Sequence, residues 1–184
     1  MAETQDSNIV AMTEALAKLF RISLNKGNEE ILLKKEMEHV KNYLIIQSMR
    51  YADKFTFEIC VEPEVDKCRI IKLILQPIVE NAVNHGIRDI EWEGKIHLTV
   101  TGDADYIRIS VKDNGKGMTQ EQIEGVLSGN REHRNEEGDS TGIGMNNVIS
   151  RLELYYEESG LMEINSEGKG KGTETVIYIP VQEN

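Results

Sequence analysis

The fold of this chain is decided by the stretch Glu80-Asn81-Ala82-Val83-Asn84-His85-Gly86, together with two glycine-rich stretches that follow it. The first of these is Asp113-Asn114-Gly115-Lys116-Gly117-Met118, and the second is Gly142-Ile143-Gly144-Met145. Each of the three stretches falls at the edge of a predicted helix or strand. Carboxylate and amide side chains beside glycines are typical of ligand sites, because a residue without a β-carbon lets the backbone approach a ligand closely. A single stretch of this kind is weak support, whereas three in this order favour one shared site.

Composition narrows the class of protein. A chain of 184 residues can bury one substantial core, and its net charge of −11 argues against nucleic-acid binding, which needs clustered lysine and arginine. No run approaches the roughly 18 apolar residues that span a bilayer, and the polar start Met1–Ser7 does not resemble a signal peptide, so a soluble domain is expected. Cys60 and Cys68 lack the spacing of zinc-binding or redox motifs; reduced thiols are expected, with a disulfide as the alternative.

Apolar periodicity predicts the helices and strands. The helices are expected at about 9–24, 33–50, 70–87 and 144–156, and the strands at 55–61, 96–100, 107–111, 161–164 and 173–179. Pro77 must either kink the third helix or begin its regular part. Thr119 and Gln122 form a capping-box pattern for a further short helix that ends near Leu127. The polar stretch 128–141 predicts either a functional lid or a disordered loop.

The order of these elements predicts the fold class. Strands that follow one another through helices and hairpins favour an α+β fold, an α/β sandwich of one mixed, mainly antiparallel sheet with helices on one face. A doubly wound parallel sheet is the less favoured alternative.

Asp113 has the most specific chemistry among the candidate residues. A carboxylate at the end of a strand, beside Gly115 and Gly117, can accept a hydrogen bond from an exocyclic amine such as that of adenine. Guanine presents a carbonyl oxygen at the same place and leaves the charge unpaired, so a purine-specific pocket for adenine is expected. The alternative for this stretch taken alone is an ordinary β-turn, because Asp-Asn-Gly is a common turn signal.

Asn81 and its neighbours suit a cation and phosphate groups. The amide oxygen of Asn81 is a hard, neutral ligand for a Mg²⁺ ion that already carries phosphate oxygens and water. Asn84 and His85 lie three and four residues further, on the same side of a helix, from which they could reach phosphates. Glu80 could orient a water molecule or an incoming nucleophile. The alternative is a polar helix end that is capped by Gly86.

Gly142, Ile143 and Gly144 lie at the start of a predicted helix. Free amides and the positive end of the helix dipole make such a position a phosphate cradle, and the polar stretch before it could fold over a triphosphate. A simple N-terminal turn is the alternative. The sequence contains neither Gly-x-x-x-x-Gly-Lys-Ser/Thr nor Gly-x-Gly-x-x-Gly, so neither a P-loop nor a Rossmann phosphate site is expected.

In order and spacing, the three stretches resemble the asparagine box and the two glycine boxes of the ATPase superfamily of gyrase, chaperones, histidine kinases and mismatch-repair proteins. Two longer stretches, Leu73–Gly86 and Glu38–Tyr51, are similar to sensor histidine kinases of the LytS/YesM type in particular. The resemblance covers nearly the whole chain from about Ile9. It implies an ATP-binding domain with a Bergerat-type fold over residues 28–184, preceded over residues 1–27 by the C-terminal part of a dimerisation helix.

The resemblance also implies roles for individual residues. Asn81 would bind Mg²⁺, Asp113 would contact adenine, and Thr173 would support the adenine side. Glu80 and Asn81 would act in catalysis. A further set of residues would line the nucleotide pocket and its lid: Asn84, His85, Gly115, Gly117, Met118, Gly142, Ile143 and Gly144. The implied cofactors are ATP and Mg²⁺.

Two departures from the family pattern matter. Many relatives carry Lys where this chain has Asn84, so one phosphate contact is expected to come from elsewhere. The phosphorylated histidine of the family lies upstream, in a segment that ends near an Asn-Pro-His-Phe pattern, which this sequence lacks; the chain is therefore expected to begin within the second helix of the dimerisation unit. Among the other histidines, His39 is expected to be a solvated helix residue, His97 to point outward from a strand, and His133 to lie in the lid.

The resulting prediction is the Mg-ATP-binding catalytic domain of a two-component sensor histidine kinase, which donates the γ-phosphoryl group to a histidine on an upstream helix. The expected partners are that helix, a response regulator and a second copy of the full-length protein, which would be anchored in a bacterial inner membrane with this domain in the cytoplasm. Two alternatives stay open. One is a hydrolytic ATPase of the gyrase or mismatch-repair type that uses Glu80 as a base, although such relatives usually place the catalytic Glu where this chain has Gln76. The other is a nucleotide-binding interaction module without catalysis.

Overall fold

The computed structural model describes residues 10, 12–19, 29–52, 54–65, 67–128 and 141–181, with only the backbone given for residues 141–143. Residues 12–19 are helical, in agreement with part of the helix expected at 9–24. The rest of that helix, except Val10, and all of the predicted lid except residues 128 and 141 lie outside the described residues. None of the helices in the described ranges is both long enough and apolar enough to cross a membrane.

Beside the helical residues 12–19, the described residues form seven strands and four further α-helices. The strands are β1 (Glu30–Leu32), β2 (Phe55–Val61), β3 (Arg69–Ile71), β4 (Gly94–Gly102), β5 (Tyr106–Asp113), β6 (Met162–Asn165) and β7 (Thr173–Pro180). The helices are α1 (Leu33–Arg50), α2 (Gln76–Asn81), α3 (Gln120–Leu127) and α4 (Thr141–Tyr156). A 3₁₀ turn covers Pro63–Val65, and α2 continues directly into a π-helical segment at Ala82–Ile87. The capping box of Thr119 and Gln122 at the start of α3 is confirmed.

Five of the strands form one mixed sheet in the order β2-β4-β5-β7-β6. The pair β2–β4 is parallel, whereas the other three pairs are antiparallel, so the expected mixed and mainly antiparallel sheet is confirmed. The strands β1 and β3 form a separate antiparallel pair. In the main sheet Asp113 lies opposite Thr173 of β7 and Ile96 of β4, which brings the end of β5 close to the start of β7.

Helices cover one face of the sheet, and the core lies between the two layers. Removal of apolar side chains from water is the main force that holds the layers together. The sheet and the helices contribute fully buried side chains to this core: Leu33, Leu44, Ile74, Leu75, Ile96, Leu98, Ile109, Met145, Leu152 and Ile177. Alternate residues on β4 and β5, such as His97 and Lys112, are exposed on the opposite face, as the period of a strand requires.

The prediction of one helix over residues 70–87 is wrong for its first part. Arg69–Ile71 is a strand that pairs with Glu30–Leu32, and a turn at residues 72–75 separates it from α2. A short apolar run fits either a strand or a helix, and its strand partner lies about forty residues away, so periodicity alone could not decide. Leu73 has a φ of 57°, which interrupts any helix. Pro77 lies in the first turn of α2, where its missing N–H group costs no hydrogen bond.

The turn at residues 72–75 is held from two sides. The fully buried Glu36 carboxylate of α1 accepts hydrogen bonds from the backbone amides of Leu73 (2.9 Å) and Leu75 (3.1 Å). From α4, the Arg151 guanidinium donates to the carbonyl oxygens of Lys72 (2.8 Å) and Leu73 (3.3 Å). Burial raises the pKa of Glu36, and the amide hydrogen bonds oppose that rise. The turn therefore fixes where α2, the helix that ends in Asn81, begins.

Candidate functional site

Asp113 is a buried carboxyl group at the end of β5, with only 5% of its surface exposed. Its Oδ1 accepts a hydrogen bond of 2.8 Å from the amide of Gly115, and the backbone amide of Thr173 also hydrogen-bonds to the carboxyl group. Burial raises the pKa of Asp113 to about 6, while the two amide hydrogen bonds act in the opposite direction. A ligand that donates a hydrogen bond to such a carboxylate stabilises its charged form.

The helical segment that follows Asn81 contacts the loop after Asp113 at Gly86. A β-carbon at position 86 would lie 2.9 Å from Cγ of Asp113, and one at position 115 would clash with the carbonyl group of Gly86. The amide of Lys116 donates a hydrogen bond of 2.9 Å to that same carbonyl oxygen. Glycine at 86 and 115 is therefore required for the close approach of these two backbones, whereas the sequence predicted close approach of Gly115 to a ligand. Gly86 does not act as an αL helix cap, because the helical segment continues to Ile87.

A second contact joins the Asp113 loop to the turn before β7. The amide of Gly172 donates to the carbonyl oxygen of Gly115 (3.1 Å), and the Ser166 hydroxyl accepts from the amide of Met118 (3.0 Å) while donating to the carbonyl of Gly172 (2.6 Å). Gly117 has a φ of 67°, and a β-carbon there would clash with the carbonyl group of Gly168. Sequence reasoning missed Ser166; its position beside the glycine-rich turn at 168–172 was the only available signal.

Asn81 is the last residue of α2, and its Oδ1 is buried without a hydrogen-bond partner in the described part of the chain. A buried amide oxygen without a partner is costly in a native structure, so it points to a group that the described residues do not supply. A neutral oxygen donor fits Mg²⁺, which commonly takes few protein ligands beside phosphate oxygens and water. Within the described ranges, no group of three or more His, Cys, Asp or Glu side chains could hold a metal ion without such help.

The positions of Asn81 and Asp113 are linked through Gly86. Asn81 precedes Gly86 by five residues, which corresponds to roughly 7.5 Å at the rise of an α-helix. The segment between them is π-helical, and its hydrogen bond from the amide of Arg88 to the carbonyl of Val83 (2.9 Å) has the wider spacing of that form. π-Helical turns are frequent at functional sites. The structure thus brings the candidate cation ligand and the candidate base ligand to adjoining elements.

The residues that flank Asn81 contact α1 and other residues of their own helix. Glu80 is partly exposed, and its Oε1 accepts a hydrogen bond of 2.7 Å from the Gln76 amide. Asn84 is also partly exposed and hydrogen-bonds to the side chain of Tyr43. His85 is half-buried in the π-helical segment. Neither contact was predicted from the sequence. The contact with Tyr43 depends on how α1 packs against α2, whereas the contact between Gln76 and Glu80 lies within α2.

The helix that carries Gly142 and Gly144 begins at Thr141, three residues before the predicted start. A β-carbon at position 144 would lie 3.8 Å from Cβ of Pro77, so the start of α4 lies beside the start of α2. Nothing is described of the Ile143 side chain. The phosphate cradle at this helix start stays a prediction, and the lid that would precede it, including His133, lies outside the described residues.

One expectation about the histidines is wrong. His39 is not a solvated helix residue, because only 1% of its surface is exposed and its Nε2 lies 2.8 Å from Oε1 of Gln76. A pattern of helical periodicity could not reveal this, since a polar residue beside Glu38 reads as solvent-facing. His97 is exposed on the open face of the sheet as expected, 3.3 Å from Glu58. Cys60 and Cys68 are free thiols, as expected.

Two family models match the chain. The model of the histidine kinase-, DNA gyrase B- and HSP90-like ATPase matches residues 67–183, which is more than half of the chain. A model described as histidine kinase matches residues 1–55. The first match includes Asn81, Asp113, Gly144 and Thr173, and the second includes all of α1.

Relatives and solved structures agree with these matches. The sensor histidine kinase YpdA of Escherichia coli is 33% identical over 91% of this chain, and the sensor histidine kinase YesM of Bacillus subtilis is 31% identical over 96%. This chain spans 28% of the length of each of these two relatives. The catalytic domain of the histidine kinase ThkA has the same fold, with a TM-score of 0.64 at 19% identity over 84% of this chain and 97% of that one.

A mycobacterial sensor histidine kinase, MprB, has a TM-score of 0.60 at 15% identity and covers 86% of this chain with its whole length. Sequence identity at this level supports the fold alone. The fold of these structures agrees with the α+β sandwich described above. The family assignment depends on the sequence match over residues 67–183. By that match the chain belongs to the family of histidine kinase-, DNA gyrase B- and HSP90-like ATPases, in the form found in sensor histidine kinases of the LytS/YesM type.

Proposed function

We propose that Asp113, Asn81 and their neighbours form the Mg-ATP site of a two-component sensor histidine kinase, and that the full-length kinase transfers the γ-phosphoryl group to a histidine on its dimerisation helix. The single observation that carries the proposal is the buried Asp113 carboxyl group, held by the amides of Gly115 and Thr173 and packed against Gly86. A buried acidic group of this kind lacks a donor that a ligand can supply.

The adenine base would provide that donor. Its exocyclic amine would donate to the Asp113 carboxylate, whereas guanine would place a carbonyl oxygen against the same charge. The absence of a β-carbon at Gly86, Gly115 and Gly117 supports close approach of a flat base to the backbone. Thr173 supports the same side of the site through its backbone amide, and Met118 lies beside it on the loop that Ser166 holds.

The phosphate groups would lie towards the Asn81 end of the site. Oδ1 of Asn81 would hold Mg²⁺, and this ion would neutralise part of the charge on the phosphates when it is bound. Asn84 and His85 would donate to phosphate oxygens, and the amides at Gly142, Ile143 and Gly144 would face the phosphates from the start of α4. The neighbouring starts of α4 and α2, at Gly144 and Pro77, support a shared phosphate region.

Glu80 would act on the reacting groups from its position next to Asn81, and it would orient the incoming imidazole. The acceptor histidine would belong to an upstream helix of the full-length protein. Among the described histidines, His39 is buried in the core and His97 is on the open face of the sheet, which makes both poor acceptors. Phosphoryl transfer asks the protein mainly for positioning and charge stabilisation, which suits this set of residues.

The remaining parts of the proposal concern the whole protein. Residues 1–27 would be the end of a dimerisation helix and residues 28–184 the ATP-binding domain. The full-length kinase would act as a homodimer, pass its phosphoryl group to a response regulator, and be anchored in a bacterial inner membrane with this domain in the cytoplasm. The match of a histidine kinase model to residues 1–55 supports a kinase segment before the ATP-binding domain.

Calorimetric titration of the chain with Mg-ATP and with Mg-GTP tests the proposal. We expect ATP to bind and GTP to bind at least about a hundredfold more weakly, because the Asp113 charge would be left unpaired. No ATP binding up to millimolar nucleotide would instead favour an interaction module. Rapid steady-state hydrolysis of ATP would favour a hydrolytic ATPase, although Gln76 is engaged with Glu80 where such enzymes need a glutamate. Stoichiometric acid-labile phosphate on this chain would show that the acceptor lies within it.

A further inference from the structure

A chain of hydrogen bonds connects the core of α1 to Glu80. Nε2 of the buried His39 lies 2.8 Å from Oε1 of Gln76, and Nε2 of Gln76 donates a hydrogen bond of 2.7 Å to Oε1 of Glu80. The other ring nitrogen of His39, Nδ1, is buried and has no hydrogen-bond partner among the described residues. The contact with Gln76 is therefore the polar contact that fixes the direction of the His39 ring.

The direction of each hydrogen bond follows from the chemistry of the three groups. A carboxylate offers acceptors only, so the Gln76 atom that faces Glu80 must be its amide nitrogen. The amide oxygen of Gln76 then faces His39, and His39 must carry a proton on Nε2 to donate to it. The orientation of each side chain fixes the orientation of the next. Reversing any one of these hydrogen bonds would place two acceptors or two donors against each other.

A second contact between the same two helices lies one turn further along. Gln76, Glu80 and Asn84 are spaced by four residues along α2 and its π-helical continuation, so they form one row. On α1, His39 and Tyr43 have the same spacing, and Tyr43 hydrogen-bonds to Asn84. Burial, followed by the nearby charge of Glu80, raises the pKa of Tyr43, so its hydroxyl keeps its proton beside that carboxylate. The neighbours of Glu80 in this row, Gln76 and Asn84, are thus both in contact with residues of α1.

We propose that His39 is a positioning residue for phosphoryl transfer, which acts through Gln76 to hold the Glu80 carboxylate in one orientation. The inference rests on the proposed function, because it assigns Glu80 a part in the reaction. Glu80 is partly exposed and adjoins Asn81, whereas His39 is buried and is connected to Glu80 through Gln76. A glutamate that is not held in this way would sample several rotamers and would be oriented for the reaction only part of the time.

The hydrogen-bonded series of His39, Gln76 and Glu80 is called the relay. The test compares substitutions at His39 and Gln76 in the full-length kinase. His39→Met removes the donor at nearly constant volume, whereas His39→Gln can place an amide nitrogen close to the position of Nε2. With saturating Mg-ATP, we expect His39→Met to slow autophosphorylation about tenfold, the effect of roughly one hydrogen bond, and His39→Gln to restore most of the rate. The dissociation constant for ATP should change less than twofold, because the relay orients a reacting group and does not touch the nucleotide.

A double substitution separates this role from simple stabilisation. Gln76→Met breaks the same relay, so the double variant with His39→Met should be no slower than the slower single variant. Multiplied losses in the double variant would overturn the inference, as would an unchanged rate in His39→Met. A loss of rate that follows a loss of thermal stability and of ATP affinity, without rescue by His39→Gln, would also overturn it. Failure of the wild-type chain to bind ATP would instead contradict the proposed function, whatever the variants do.

A structural readout on the chain itself completes the test. Long-range ¹H–¹⁵N NMR spectra of the wild-type chain should show His39 with its proton on Nε2, and Gln76→Met should change the chemical shifts of that ring. A proton on Nδ1 alone would contradict the direction of the relay, because Nε2 would then be an acceptor that faces the Gln76 oxygen. This readout requires no nucleotide, so it tests the relay independently of the proposed function.

Discussion

Gly86 lies directly against the carboxyl group of Asp113, so closely that a β-carbon at position 86 would be 2.9 Å from Cγ and 2.9 Å from Oδ1 of that group. The end of the helical segment that follows Asn81 and the end of β5 meet at this point. The contact buries one side of the carboxyl group without giving it a hydrogen bond, because glycine has no side chain to offer. The site therefore keeps a buried acid whose remaining hydrogen-bonding capacity is available to a ligand.

Substitution Asp113→Asn should separate nucleotide binding from stability. The amide can still accept the hydrogen bond of the Gly115 amide, but its other half carries donors that oppose the adenine amine. We expect ATP affinity to fall at least about a hundredfold. The free energy of unfolding at pH 7.5 should rise by about 1–2 kcal/mol, because the cost of a buried charge is removed.

Calorimetry with ATP and chemical denaturation measure the two quantities. The matched control is Asp105→Asn, an exposed position at the opposite end of β5, which should change neither. Unchanged ATP affinity in Asp113→Asn would remove the assigned adenine contact.

The pKa of Asp113 predicts a pH dependence. Since its value of about 6 in the folded chain lies above the ordinary value of 3.8, the folded state holds this proton more tightly than the unfolded chain does. The contribution of Asp113 to stability is therefore largest below about pH 4, falls as the pH rises to about 6, and stays low above that. Bound adenine should lower the pKa, because its amine stabilises the carboxylate.

A ¹³C NMR titration of the Asp113 carboxyl carbon, with and without ADP, follows this group directly. A pKa in the complex that equals or exceeds the value in the free chain would argue against a hydrogen bond from the base.

Two glycines of the site should respond differently to alanine. At position 86 the new methyl group would press on the Asp113 carboxyl group, so we expect a loss of about 1–3 kcal/mol in the free energy of unfolding. At position 144 it would lie 3.8 Å from Pro77, an ordinary contact, and inside a helix it should leave stability unchanged or raise it by up to about 1 kcal/mol. Denaturant unfolding measures both variants. Equal losses would mean that the close approach at Gly86 is not what requires glycine there.

Glu36 should be important for stability although it lies outside the site. Its two carboxylate oxygens accept from the partly buried amide of Leu73 and the buried amide of Leu75, and Glu36→Ala would remove the partner of both. We expect a loss of about 2–4 kcal/mol in the free energy of unfolding. Glu38, two residues further on α1, forms a surface ion pair with Lys35, and Glu38→Ala should cost less than about 1 kcal/mol. Similar losses in the two variants would contradict the role of Glu36 in the turn.

The sequence predicted the local elements well where one periodic pattern ran without interruption. Helix α1 and strands β2, β4 and β5 agree with their predicted positions, and the capping box of Thr119 correctly marked the start of α3. The pairing of β1 with β3 was missed, because each strand has three residues and the partners lie far apart in the chain. Leu73 has a positive φ, and its amide donates a hydrogen bond to Glu36, which lies far away in the sequence. Local propensity cannot predict such a tertiary contact.

The residue types of the candidate site could be picked out from the sequence, whereas the residues that hold them in position could not. Asp113, Asn81 and the glycines were chosen as candidates because a carboxylate or amide beside glycine is typical of ligand sites and turns. His39 and Tyr43 were not found, since their contacts with Gln76, Glu80 and Asn84 depend on the packing of α1 against α2. A polar residue on a helix is expected to face water, and only tertiary structure shows that this one faces the core.

The central claim is that Asp113 and Asn81 bind opposite ends of one nucleotide, and a crystal structure of the chain with Mg²⁺ and a non-hydrolysable ATP analogue measures this most directly. The account predicts the exocyclic amine of adenine within about 3.2 Å of the Asp113 carboxylate, and Mg²⁺ on Oδ1 of Asn81 at about 2.1 Å while it bridges phosphate oxygens. A nucleotide bound elsewhere, or bound here with its base away from Asp113, would contradict it.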